Sequence, residues 1–137
     1  MSDLDRIPSW APVLVGLLAF AVHDWTLQPW TLDDAYITFR YADNLVAGHG
    51  IVFNPGERVE GYTNFLWLLL LAVGRSLGLA PELFSKVLGA LLDVASLTMI
   101  GFAHRLVPGL SRRTAMLAAL LLGTCGVFSK WSMSGME

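Results

Sequence analysis

Residues 33–62 read DDAYITFRYADNLVAGHGIVFNPGERVEGY, and this stretch decides the fold because an amphipathic pattern here sits between apolar segments on both sides. It holds five of the 11 acids and two of the 9 basic residues, together with Tyr36, Tyr41, His49 and Tyr62. Its first half predicts a helix. Thr31 or Asp33 is placed to cap it, since a short side-chain oxygen satisfies the orphan N–H groups of a first turn, and Gly48 is placed to stop it. Ile37, Tyr41 and Leu45 recur at four-residue spacing with Phe39, Ala42 and Val46 beside them, while Asp33, Tyr36, Arg40, Asp43 and Ala47 share the opposite face. The acids and the arginine are therefore expected on the wet side. After Gly48-His49-Gly50, the runs Ile51-Val52-Phe53 and Arg58-Val59-Glu60 flank the turn-forming Asn54-Pro55-Gly56-Glu57, which predicts a small hairpin or a tight return.

Composition sets the class. A chain of 137 residues that is 55% hydrophobic and 15% charged is far more apolar than a soluble domain, where about 25% of residues are charged. Its mean hydropathy is +0.58. The expected fold class is all-α integral membrane protein. A net charge of −2, with no dense basic run, gives no footprint for nucleic acid. The single Cys125 has no intrachain disulfide partner and reads as a small lipid- or helix-facing residue. The acidic start MSDLDRIPSW, with no small-residue cleavage site after the apolar stretch, predicts a retained span rather than a signal peptide.

Four apolar segments follow from the pattern. Residues 7–27 match the roughly 20 residues that a bilayer core requires. Trp10, Trp25 and Trp30 are placed as interfacial anchors, and His23 and Asp24 as residues snorkelling to the interface. Residues 28–64 form a loop. Residues 65–79 begin with the short run Phe65–Val73, which predicts a re-entrant or short transmembrane segment. Residues 83–103 and 114–130 complete the set. His104, Arg105, Arg112 and Arg113 are the densest positive charge and mark the cytoplasmic side. With residues 65–79 re-entrant, the 28–64 loop is extracytoplasmic; if every apolar run spans, it lies on the arginine side. Asp93 falls in mid-span, where an acid costs on the order of 2.5–3.5 kcal/mol unless it finds a partner. The sequence offers no evident mate for it, and with the end at Ser134-Gly135-Met136-Glu137 this predicts the N-terminal portion of a larger protein.

The candidate chemistry lies in the loop. Asp33-Asp34 reads either as complement to the helix dipole or as a general base at the mouth of a membrane cavity, where a second carboxylate and nearby lipid favour proton transfer. Arg40 reads either as an i,i+3 partner of Asp43 or as a fork for phosphate. Lone His49 reads as exposed. Glu60, Tyr62 and Asn64 return to the membrane surface, where they either line the same cavity or act as interface residues. No His and Cys spacing suggests a metal site, and Gly48-His49-Gly50 lacks the further glycines of a phosphate loop.

The run DDAYITFRYADNLVAGHGIVFNPGERVEGYTNFLW resembles the first extracytoplasmic loop of GT-C type membrane glycosyltransferases, especially bacterial arabinofuranosyltransferase-like members. Met133 to Glu137 resembles more loosely that family's second acidic loop. The resemblance implies the N-terminal helices of a GT-C bundle in the cytoplasmic membrane. It implies transfer of a sugar, arabinofuranose among the candidates, from a polyprenyl-phosphate donor to a glycan or cell-envelope acceptor. Asp33 would be the catalytic base and Asp34 its neighbour in the catalytic pair. Tyr36, Glu60 and Tyr62 would line the sugar pocket with Glu137, and Arg40 would lie near the leaving phosphate. A divalent cation is left open. Family members are several times longer, so a fragment is implied. The competing reading is a small non-enzymatic membrane protein that uses residues 33–62 as a docking loop.

Overall fold

The computed structural model describes residue 8, residues 10–27 and residues 29–136. Among these the regular structure is helical, with no strand. The helices are α1 (Ala11–Leu27), α2 (Asp33–Val46), α3 (Phe65–Ser76), α4 (Pro81–Phe102), α5 (Arg112–Gly123) and α6 (Gly126–Ser132). They fall into two compact units, one built on residues 10–27 and 91–130, the other on residues 29–90 and 131–136.

In the first unit, α1 buries Val13, Gly16 and Phe20, a stripe at three- and four-residue spacing, and α5 buries Ala115, Met116, Ala119 and Gly123. Small residues let these two backbones meet. A Cβ on Gly123 would fall on the Gly16 backbone, and one on Gly16 would stand 2.9 Å from the Ala119 carbonyl. Such contacts are the usual means of helix association where no hydrophobic drive exists between apolar surfaces. Phe20 and Phe128 pack at 5.5 Å between ring centroids. Ser111 caps α5, its oxygen accepting from the Thr114 amide at 3.1 Å. The segment read as one run from residue 114 to 130 breaks instead at Thr124 and Cys125, and α5 and α6 meet at 63°. Thr124 turns its hydroxyl onto the Leu120 and Leu121 carbonyls, at 2.9 and 3.1 Å, as α5 ends.

The 25 residues Pro81–Arg105, α4 with a following single 3₁₀ turn, make the one described helix long and apolar enough to cross a bilayer; α5 and α6 qualify only as a bent pair. The helices α1 and α3 are shorter apolar helices of 17 and 12 residues. Leu83, Val87, Leu91, Leu92, Val94 and Met99 of α4 stand exposed, a surface suited to lipid or further protein rather than water. Asp93, half-buried on α4, takes part in an interaction within the chain.

The second unit positions the loop. Its core is Ala35, Phe39 and Ala42 of α2 against Trp67, Leu71 and Ala72 of α3, with Leu45, Phe84, Leu88 and Met136 packed on it. Gly74 has no side chain because the Phe84 ring occupies that place. An ion pair at 2.7 Å from Arg75 Nε to Asp43 Oδ1 joins α2 to α3 at the surface. The expected Arg40–Asp43 pairing is thus replaced: Arg40 Nε donates to the Phe53 carbonyl at 3.2 Å.

Gly48 ends α2 as its sequence predicts. It takes φ +81°, the Gly48 amide donates to Leu45 at 3.1 Å, and the His49 amide reaches back to Asn44 at 3.0 Å, the paired bonds of a left-handed C-terminal stop. The start differs. Leu32, which has no side-chain oxygen, occupies the N-cap position, Asp33 is already the first helical residue, and the Thr31 hydroxyl is given to Glu82. The buried face differs too: Ile37 and Val46 are exposed, and Thr38 and Asn44 are buried.

Candidate functional site

Those two buried polar residues, with Tyr41, explain how the loop is held. Thr38, Tyr41 and Asn44 follow at three-residue intervals on one face of α2 and hydrogen-bond successive points of the chain running back along it. Asn44 Nδ2 donates to the Val52 and Phe53 carbonyls at 2.7 and 2.8 Å. The Tyr41 hydroxyl donates to the Val59 carbonyl at 2.7 Å and accepts from the Gly61 amide at 2.9 Å. Thr38 Oγ1 donates to Asn64 Oδ1 at 3.3 Å. Residues 52–64 therefore run antiparallel to the helix with no strand pairing, a tight return and not a hairpin. Side chains of the helix take the place of a partner strand.

The same face continues to the start of α2, where a second segment docks. The Leu32 amide donates to the Ser134 carbonyl at 2.9 Å. Gly135, at φ +84°, lies so close to Ala35 and Phe39 that a Cβ there would stand 3.1 Å from each. Trp67 Nε1 donates to the Gly135 carbonyl at 3.2 Å. Residues 134–136 thus reach the start of α2 beside Asp33 and Asp34; Glu137 itself lies outside the described residues.

Asp33, Asp34 and Tyr36 are exposed in the first turn of α2. Carboxylates there face the positive end of the helix dipole. Arg40 is exposed one turn beyond Tyr36, its guanidinium directed by the bond to Phe53. Glu60 is exposed and Tyr62 half-buried, its ring 5.0 Å from Tyr41 and 6.1 Å from Phe65. Because Tyr62 stands against Tyr41, eight residues along α2 from Asp33, the two groups are about 12 Å apart along the helix axis.

Two clefts flank Val59 in this return. One of about 320 Å³ is lined by Ile37, Tyr41, Phe53, Asn54, Glu57, Val59 and Gly61 and is mostly apolar. The other, of about 390 Å³, is mixed in character and includes His49, Val52, Arg58, Glu60 and Tyr62. His49 is exposed, as a lone loop histidine is expected to be. Among the described residues, no three His, Cys, Asp or Glu side chains come together as metal ligands.

One residue escaped the sequence reading. Glu82, in the first turn of α4, accepts from the Thr31 hydroxyl at 2.7 Å and pairs with Lys86 Nζ at 3.4 Å. The available signal was an acid and a lysine four residues apart at the head of an apolar helix, which reads as an ordinary surface pair. Here the Lys86 side chain is only 9% exposed, so the pair is part of the packing.

No family model matches the chain. No solved structure matches it either. Two curated relatives share the name terminal beta-(1->2)-arabinofuranosyltransferase. The protein from Mycobacterium tuberculosis is 38% identical over 120 residues, covering 83% of this chain and 19% of the relative. The protein from Corynebacterium glutamicum is 47% identical over 57 residues, covering 42% of this chain and 8% of the relative. The chain spans less than a fifth of the length of either. The resemblance of this chain to membrane glycosyltransferases of the arabinofuranosyltransferase kind, first read from residues 33–67, is thereby borne out over most of its length.

Proposed function

We propose that this chain supplies the first helices and first extracytoplasmic loop of a multi-pass GT-C membrane glycosyltransferase. That enzyme moves a sugar, arabinofuranose by the names of its relatives, from a polyprenyl-phosphate donor to a cell-envelope glycan. The similarity to arabinofuranosyltransferases over 83% of the chain carries this reading. The exposed Asp33-Asp34 pair on a firmly held helix start supports it.

In the reaction the acceptor hydroxyl attacks the anomeric carbon, its proton passes to Asp33, and the bond from that carbon to the phosphate oxygen breaks. The electron pair leaves on the polyprenyl phosphate. A lipid phosphate is already a competent leaving group, so the protein has mainly to position reactants, supply a base and balance charge. Asp34, Tyr36, Glu60 and Tyr62 contact the sugars, and Arg40 faces the phosphate. The orientation rests on charge: with the arginine cluster at residues 105–113 kept inside and residues 65–79 re-entrant, the Asp33 loop is outside.

The test is Asp33→Asn in the protein produced from its own reading frame, assayed in membranes for sugar transfer from a polyprenyl-phosphate donor. Transfer should fall about 100-fold or more, the usual worth of a general base, with membrane insertion unchanged. Undiminished transfer would remove Asp33 from the mechanism. Absence of any transfer by the parent protein would favour a docking role for residues 33–62.

A further inference from the structure

Thr31 stands two residues before Asp33-Asp34 in the chain and donates its hydroxyl to Glu82 of α4 at 2.7 Å. The contact crosses 51 residues of sequence, so it is a tertiary tie and not a local cap. Glu82 is itself anchored. Lys86, one turn further along α4 and buried, holds the Oε1 that accepts from Thr31.

Leu32, with no side-chain oxygen, holds the N-cap position of α2, and the Thr31 hydroxyl one residue earlier is directed to Glu82. The backbone of the pair is held from a second direction by the Leu32 to Ser134 bond. The pair is therefore fixed against both α4 and residues 134–136, while its own side chains remain exposed.

We propose that Glu82 is a positioning residue that, through Thr31, sets the direction in which Asp33 and Asp34 present their carboxylates to substrate. This rests on the reading of Asp33 as the base. Glu82 acts by accepting hydrogen bonds and takes no proton in the reaction. A base displaced by a fraction of a bond length loses rate without losing substrate affinity.

The experiment compares Thr31→Val, Glu82→Ala, Glu82→Gln and Asp33→Asn in the protein produced from its own reading frame, in membranes. Its readouts are kcat, KM for the polyprenyl-phosphate donor and the pH profile. Thr31→Val is nearly isosteric and leaves the Glu82–Lys86 pair in place, so it guards against a folding defect. Thr31→Val and Glu82→Ala should each lower kcat about tenfold or more with KM unchanged, and Glu82→Gln, whose amide oxygen still accepts, should keep kcat within about threefold. Wild-type kcat in Thr31→Val and Glu82→Ala would overturn the proposal. So would a Glu82→Gln variant as impaired as Glu82→Ala with an altered pH profile, which would make Glu82 a participant in proton transfer. Full activity in Asp33→Asn would instead overturn the reading on which the proposal rests.

Discussion

Tyr41 grips the loop through Val59: its hydroxyl, almost wholly buried, donates to the Val59 carbonyl at 2.7 Å and so ties the return to the middle of α2. The same oxygen accepts from the Gly61 amide. Tyr41→Phe would leave a carbonyl and an amide of the return without this partner, at a cost of about 1–3 kcal/mol. Limited proteolysis between residues 52 and 61 should become faster while cleavage elsewhere is unaltered. An unchanged cleavage rate would show that the return is held by other means.

Asp43 and Arg75 are joined at 2.7 Å, but their side chains are 40% and 44% exposed. Water and salt screen such a pair, so Arg75→Ala should cost no more than about 1 kcal/mol. The difference in unfolding midpoint between the variant and its parent should shrink as salt is raised. A large, salt-independent loss would mean that Arg75 contributes through packing instead.

Gly16 and Gly123 bring α1 and α5 into backbone contact. Gly123→Leu would push the helices apart and should destabilise the first unit by about 1–3 kcal/mol or more. The loss should appear as a lower unfolding midpoint in detergent. Gly126→Ala, where an added Cβ meets no atom within 4 Å, serves as the control and should leave the midpoint unchanged.

Gly48 sits at φ +81° with nothing within 4 Å of an added Cβ, so Gly48→Ala isolates the cost of the left-handed backbone. About 1 kcal/mol is expected. A variant as stable as its parent would show that the end of α2 tolerates another conformation.

The orientation proposed for the Asp33 loop is checked with a membrane-impermeant maleimide in a Cys125→Ser background, which removes the exposed native thiol. Glu57→Cys should label in intact cells, and Arg113→Cys only after permeabilisation. The reverse pattern would place the Asp33 loop in the cytoplasm.

The sequence alone determined the helices on each side of the loop, because apolar spacing reports which face leaves water. It also determined the end of α2, because Gly48 alone there adopts a positive φ without strain. The turn at Asn54-Pro55-Gly56-Glu57 and the resemblance across residues 33–67 were legible for the same local reasons. What only the tertiary structure decided was the use of polar side chains. Periodicity assigns a threonine or asparagine to the wet face, yet Thr38 and Asn44 are buried, because their partners are an asparagine and two carbonyls on a chain segment that returns only after the fold forms. Thr31 was legible as a cap and became a tie to Glu82, since α2 begins one residue later than a Thr31 cap requires and the packing of α4 brings a carboxylate 51 residues away beside the hydroxyl.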